Sequence, residues 1–406
     1  MNRPLKILMV LHMPWDPNLG GPRVQLELAD EFLAMGHEVE KFDYNDAFGQ
    51  TKPFRLAELV PPILTTKAKR LAELTRPSFS SQAQKFVQAN AHRFDIIDAH
   101  QGNLPFSKQE LGFRGLLVAR SVGLMPLLQE FLEFQNQKWP SLKKRNLIGN
   151  LLSSHAQKQN FSNFIPSLKA SDLINLPNHD ELMYVSNVLG LGQKSVVFPF
   201  GLSQQRHEAF LKAIQPAEVR LTNKQVAFIG AWGTRKGSKD WGEIIKLIRN
   251  EIPEAQFLFL GTGFSMETVL ADINLPSADG IEIIPNYTSE ELPKLLSRAT
   301  VGAFPSYMEG FGFAVLEKLA CGLPTVAYDI PGPREMLGKL DIKLMTKPGD
   351  IEQFAVHLVK LLRLDQTSYS QVSQHCVEIA NKFTWRTIAE NTINTYTQLF
   401  AKIKSM

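Results

Sequence analysis

Two glutamates, Glu309 and Glu317, stand with seven residues between them, and the residues they enclose decide what the pair can do. On one continuous helix, eight steps would leave the carboxylates roughly 80° apart and about 12 Å along the axis, too far to act on one ligand. The sequence argues against that helix. An apolar run at 300–304 breaks at Pro305-Ser306, Gly310 and Gly312 follow, and helical spacing resumes at Phe313, Leu316, Leu319 and Ala320. Strand, loop and helix are therefore expected in that order. Glu309 then sits at the carboxyl end of a strand, and Glu317 looks out from the helix after it. Between them the N–H groups of Gly312, Phe313 and Ala314 have no preceding turn to bond, and the positive end of the helix dipole lies with them. Such a start suits an anion, here a diphosphate held between two carboxylates able to bind hydroxyls.

Further candidates come from the loop Ala231-Trp232-Gly233-Thr234-Arg235-Lys236-Gly237, which follows the apolar run 226–230. Arg235 and Lys236 place two cations at the carboxyl end of a strand, where open α/β sheets hold ligands, and can neutralise a departing diphosphate without a metal. Taken singly these features are common, since a G-x-G turn is often only a turn and a helix glutamate is usually solvated. Their value lies in occurring together.

The elements that must carry them follow a simple alternation. The continuous apolar run 5–11 has the pattern of a central parallel strand buried on both faces. Its loop contains Gly20 and Gly21, a helix then buries Val24, Leu28 and Phe32, and a second strand begins after Gly36. Strands at 94–99 and 116–119 deliver His100 to one loop and Arg120, Ser121 and Val122 to the next. Segments 171–178 and 195–202 complete the first set, and a break falls at Gln215-Pro216. Strands at 226–230, 253–260, 281–287 and 325–328 form a second set, with Ser289-Glu290-Glu291-Leu292 reading as a capped helix start. The expectation is α/β: two doubly wound, Rossmann-like domains at 1–203 and 222–383, a linker at 204–221, and a final helix at 384–406.

Composition agrees with that size. A chain of 406 residues exceeds one ordinary core, and 44% hydrophobic with 21% charged residues describes a globular protein. A net charge of +4 does not argue for nucleic acid. Two cysteines, Cys321 and Cys376, form neither a disulfide framework nor a metal cluster, which fits a reducing cytoplasm. Arg3 and Lys6 precede an apolar run as in a signal peptide, but the run ends at Trp15-Asp16 without a small-residue cleavage site, so a buried strand is expected. From Thr51 to Arg145 there are fifteen Lys and Arg against seven Asp and Glu, with a cluster at Lys138, Lys143, Lys144 and Arg145. That surplus is either a solvated face or one that contacts anionic membrane.

Glu309, Gly310-Phe311-Gly312, Glu317 and Ala320-Cys321-Gly322-Leu323-Pro324 together resemble the E-x7-E signature of the retaining GT-B glycosyltransferases of family 4. The resemblance covers almost the whole chain. It implies a GT-B fold whose last helix crosses back onto the first domain, and a metal-independent transfer in which the nucleotide sugar is a substrate and no cofactor is used. It assigns catalysis to Glu309, Lys236 and Arg235, and donor binding to Glu317, Gly310, Phe311, Gly312, Phe313, Gly20 and Gly21. The implied partners are a nucleotide-sugar donor (UDP or GDP) and a glycan or lipid-linked acceptor, in the cytoplasm or at the inner membrane face, with no nucleic acid.

The sequence departs from the family at three places. Ala231 stands where the family has Arg, Val122 or Ser121 where a histidine commonly touches the transferred sugar, and Phe200 where Asn often precedes a glycine. The second departure leaves His100, Arg120 and Ser121 as candidates for acceptor or sugar contact. Alternatives left open are a non-catalytic sugar- or nucleotide-binding subunit and a GT-B epimerase or phosphorylase.

Overall fold

The computed structural model describes residues 3–16, 20–49, 78–140, 162–275, 277–340 and 343–405. Of the basic residues noted above, Lys52, Arg55, Lys67, Lys69, Arg70, Arg76, Lys143, Lys144 and Arg145 lie outside the described residues.

Six strands, β1 (Lys6–Val10), β2 (Glu38–Phe42), β3 (Ile96–His100), β4 (Leu116–Arg120), β5 (Leu173–Leu176) and β6 (Ser195–Val197), form a first sheet in the order β2-β1-β3-β4-β5-β6. Six more, β7 (Gln225–Ile229), β8 (Gln256–Leu260), β9 (Ile281–Ile284), β10 (Val301–Phe304), β11 (Thr325–Tyr328) and β12 (Met345–Thr346), form a second in the order β12-β11-β10-β7-β8-β9. Every pairing is parallel. The reason lies in the residues: β3, β4, β5, β10 and β11 are buried at every position, as parallel strands covered on both faces must be. In each sheet the order reverses beside the first strand of its set, which is where a doubly wound sheet opens a crevice.

Six helices matter for the site: α1 (Gly20–Ala34), α2 (Met125–Lys138), α3 (His179–Asn187), α4 (Gln204–Ala213), α5 (Phe313–Ala320) and α6 (Trp385–Ser405). Between the sheets the chain is helical rather than extended, with α4 followed by a short helix at Ala217–Asn223. Crossing back, Leu202 N–H donates to the Phe383 carbonyl (3.0 Å) and Trp385 N–H to the Leu202 carbonyl (3.1 Å), so the two crossings lie side by side. From there α6 packs along the first domain, where Phe32 of α1 meets Tyr396 at 6.4 Å between ring centroids. The chain thus has the two-sheet GT-B architecture with a C-terminal crossing helix.

Phe200, at the first crossing, is one of the departures from the pattern that the sequence resembles. Its ring stacks on Phe313 (5.6 Å, 17°) and on Trp385 (5.9 Å, 28°) and meets Phe311 at 5.3 Å. One aromatic cluster therefore ties together the end of the first domain, the loop before α5 and the crossing helix.

Candidate active site

The loop from β10 to α5 is held open by its glycines. Gly312, the residue before α5, has φ +87°, a left-handed conformation that a side chain disfavours. Gly310 faces the first domain so closely that an added Cβ would lie 2.2 Å from the Val122 carbonyl oxygen. The Gly310 carbonyl in turn accepts from Asn178 Nδ2 at 2.6 Å. The amides of Gly312, Phe313 and Ala314 find no acceptor among the described residues, while Val315 N–H bonds the Gly312 carbonyl at 2.8 Å. The helix start is thus the unpaired donor array that the sequence anticipates. Phe313 offers the array its amide, while the rings of Phe311 and Phe313 belong to the aromatic cluster.

Glu309 lies beside this array and is nearly buried. Its Oε1 accepts from Lys236 Nζ at 2.5 Å and from Arg235 Nη1 at 2.9 Å. Arg235 also donates to the Met308 carbonyl at 3.2 Å, so it turns into the site although its side chain is 41% exposed. Burial alone would raise the Glu309 carboxyl, but Lys236 and Arg235 outweigh it and hold the group below its usual range. For Lys236 burial wins: it lowers the ammonium against the pull of Glu309, with Arg235 adding to the shift. A second lysine, Lys318 of α5, is fully buried behind the same loop and donates to the Ala303 carbonyl at 2.8 Å. Burial, then the nearby Lys236 charge, push it down to about 7.

Glu317 projects from α5 toward the first domain, not toward Glu309. Its Oε1 accepts from Arg206 Nη2 (2.7 Å) on α4 and from Arg23 Nη1 (3.1 Å) on α1. The Arg23 guanidinium lies 4.8 Å over the Phe313 ring, and Arg206 also bonds Ser289 Oγ. Ser289 is consequently no helix cap: the helix there is Leu292–Leu296, and Glu291 is the residue before it. Gly20 and Gly21 open α1 and place Arg23 in its first turn. Neither Arg23 nor Arg206 stands out in the sequence. The only available signal for Arg23 was its position two residues after the glycine pair.

The candidates for acceptor contact fare differently. Arg120 is 1% exposed and its guanidinium is spent on Asp98 (Nη2–Oδ2 2.6 Å) and on the Tyr396 hydroxyl (2.9 Å), a structural tie between β3, β4 and α6. Ser121 Oγ donates to Glu181 Oε2 at 2.8 Å and accepts from Gly123 N–H at 3.1 Å, which shapes the loop that meets Gly310. Glu181, on α3, is fully buried and pushed up to about 7 by burial, against the hydrogen bonds of Ser121, Leu124 and Asn178. His100 is buried 5.1 Å from the His12 ring, and burial followed by the His12 charge lowers it to about 3, so it is a neutral imidazole. Lys138 has local partners: its Nζ donates to the Tyr307 hydroxyl at 2.9 Å and lies 4.9 Å over the Trp139 ring. Between α2 and the 305–309 loop lies a cavity of about 310 Å³ walled by Phe131, Phe134, Tyr307 and Met308 and reaching Glu309. Among the described residues no group of three or more His, Cys, Asp or Glu is placed to hold a metal, and no helix is long and apolar enough to cross a membrane.

Residues 211–382 match the family described as Glycosyl transferases group 1. The O-antigen chain mannosyltransferase B of Escherichia coli is 31% identical over 107 residues, 26% of this chain and 27% of the relative. The D-inositol 3-phosphate glycosyltransferase of Mycobacteroides abscessus is 27% identical over 202 residues, 48% of this chain and 44% of the relative. The matched segments span less than half the length of these relatives. The likeness of fold is complete in extent: sucrose-phosphate synthase from Thermosynechococcus elongatus superposes with a TM-score of 0.68 at 18% identity, covering 98% of this chain and 100% of that one. HepE of Anabaena, solved with UDP and glucose, gives 0.63 at 16% identity, covering 97% and 99%.

Proposed function

We propose that this GT-B chain, whose residues 211–382 carry a group 1 glycosyl transferase domain, moves a sugar from a nucleoside diphosphate sugar to a hydroxyl of a glycan or lipid-linked acceptor, keeping the anomeric configuration. One observation carries the reading: Glu309, with Lys236 and Arg235 on one of its oxygens, lies beside three unpaired amides at the start of α5. In the free chain the carboxylate occupies both cations. A donor diphosphate competes for them, seats on the amides, and frees Glu309 to accept sugar hydroxyls as the ring gains oxocarbenium character. Charge building on the departing phosphate falls to Lys236, Arg235 and the helix start, and the acceptor proton passes to that phosphate. Glu317 takes the ribose. No metal is required in this scheme. UDP- and GDP-sugars are the donors to try first, supported by the sugar-transferring relatives and the UDP-bound neighbour.

The test is transfer from UDP- and GDP-sugars to a panel of glycan and lipid-linked acceptors, with product anomer read by NMR and a chelator arm included. Retention is expected, undiminished by chelation. Lys236→Ala should lose about 10² to 10³ in turnover while staying folded, the usual cost of removing a donor aimed at developing charge. Nucleotide binding without turnover across the panel would instead identify a non-catalytic subunit, and full turnover by Lys236→Ala would overturn the assignment.

A further inference from the structure

We infer that Arg23 and Arg206 are positioning residues that hold Glu317 ready for the donor ribose, and that the first domain thereby completes the nucleotide seat of the second. The inference rests on the function proposed above. Both guanidinium groups bond the same oxygen, Oε1, while no hydrogen-bond donor among the described residues reaches Oε2. A carboxylate fixed by one oxygen and open at the other is the arrangement that can accept the two hydroxyls of a vicinal diol. The side chains are largely withdrawn from water, at 6% exposure for Glu317 and 14% for each arginine, so the geometry is not that of a loose surface pair.

Two buried donor atoms point to a ligand beside Glu317. Arg23 Nη2 and Arg206 Nε are buried and have no acceptor, an arrangement that folded proteins avoid unless something else supplies one. A ribose oxygen beside Glu317 would do so. Tyr287, near Glu317 and both arginines, has its phenol raised by burial and then by the Glu317 charge, and its ring packs against Gly261 at the end of β8. Glu27, one turn along α1 with its Oε1 3.6 Å from Arg23 Nε, offsets part of the positive charge.

Arg23 belongs to the first domain and Glu317 to the second. Nucleotide affinity is therefore linked to domain contact through the Arg23–Glu317 ion pair, with Arg206 of α4 on the same oxygen, and the loss of Arg23 should act on recognition of the ribose rather than of the phosphates.

Calorimetric binding of UDP, GDP and ADP and of their 2′,3′-dideoxy counterparts tests this on the full chain. For whichever nucleotide binds, the wild type should prefer the ribose form by about 10-fold, the scale of one or two hydrogen bonds. Arg23→Ala should shrink that preference to within about 2-fold while leaving dideoxy affinity unchanged, and Arg23→Lys should restore part of it. Glu317→Gln, which keeps the side-chain volume, should show the same loss. Equal weakening of ribose and dideoxy forms by Arg23→Ala, or no change, would overturn the inference and leave the donor reading intact. A wild type that binds none of the three nucleotides would overturn the donor reading and this inference with it.

Discussion

Single residues here are governed by burial more than by type. Glu309 and Glu181 are both buried acids, yet Glu309 stays ionised because two cations face it, whereas Glu181 meets only neutral donors and is pushed up to about 7. The consequence is a pH dependence with a definite sign. With its folded value raised from 4.5, Glu181 contributes stability that is complete below about 4.5 and is lost as pH rises through about 7. Over that window the loss is on the order of 3 kcal/mol. Glu181→Gln mimics the protonated acid, so relative to wild type it should gain stability between pH 5 and pH 8, measured by denaturant unfolding at both. An equal difference at the two values would mean that Glu181 titrates normally. Arg120 teaches the opposite lesson. At a strand end it looks like a site residue, but β4 is covered on both faces, and a cation there has to find Asp98 within the sheet.

Among the elements, the β10–loop–α5 unit was readable in advance because its evidence is local. A strand stop, two glycines and resumed helical spacing fix where the Gly312 and Phe313 amides point, and Lys236 and Arg235 arrive on the loop that follows the adjacent strand β7, which pairs with β10. Glu317 was readable as a residue but not in its partners. Arg23 lies 294 positions away and Arg206 111, and no periodicity reports a contact over such a span. The loop 121–124 was likewise visible as a strand end, though not as the surface that receives Gly310. That meeting makes Gly310→Ala a test of the element. A methyl group 2.2 Å from the Val122 carbonyl must separate the two loops, and displacement of reacting groups by about 1 Å costs on the order of 10²-fold. The variant should lose that much in kcat/KM with little change in melting temperature. Unaltered kinetics would show that the loops need not touch during turnover.

At the scale of the molecule, alternating strands and helices made two doubly wound sheets legible, whereas the way they are joined depends on aromatic packing that no pattern announces. Phe200, Phe311, Phe313 and Trp385 come from both domains and from α6, and Trp385 is fully buried. Replacing it with alanine should cost about 3–5 kcal/mol and split thermal unfolding into two transitions, since the shared cluster couples the halves. Calorimetry decides this, and a single unshifted transition would show that the halves do not lean on one another there. The paired crossings at Leu202 and Phe383–Trp385 carry a mechanical consequence as well. Two ribbons laced together behave like the knuckles of a door hinge: folding about their shared line keeps both laces, whereas wringing or sliding one half past the other tears them. Product egress should thus proceed by a book-like parting of the covers, and an inhibitor wedged against the spine would jam it.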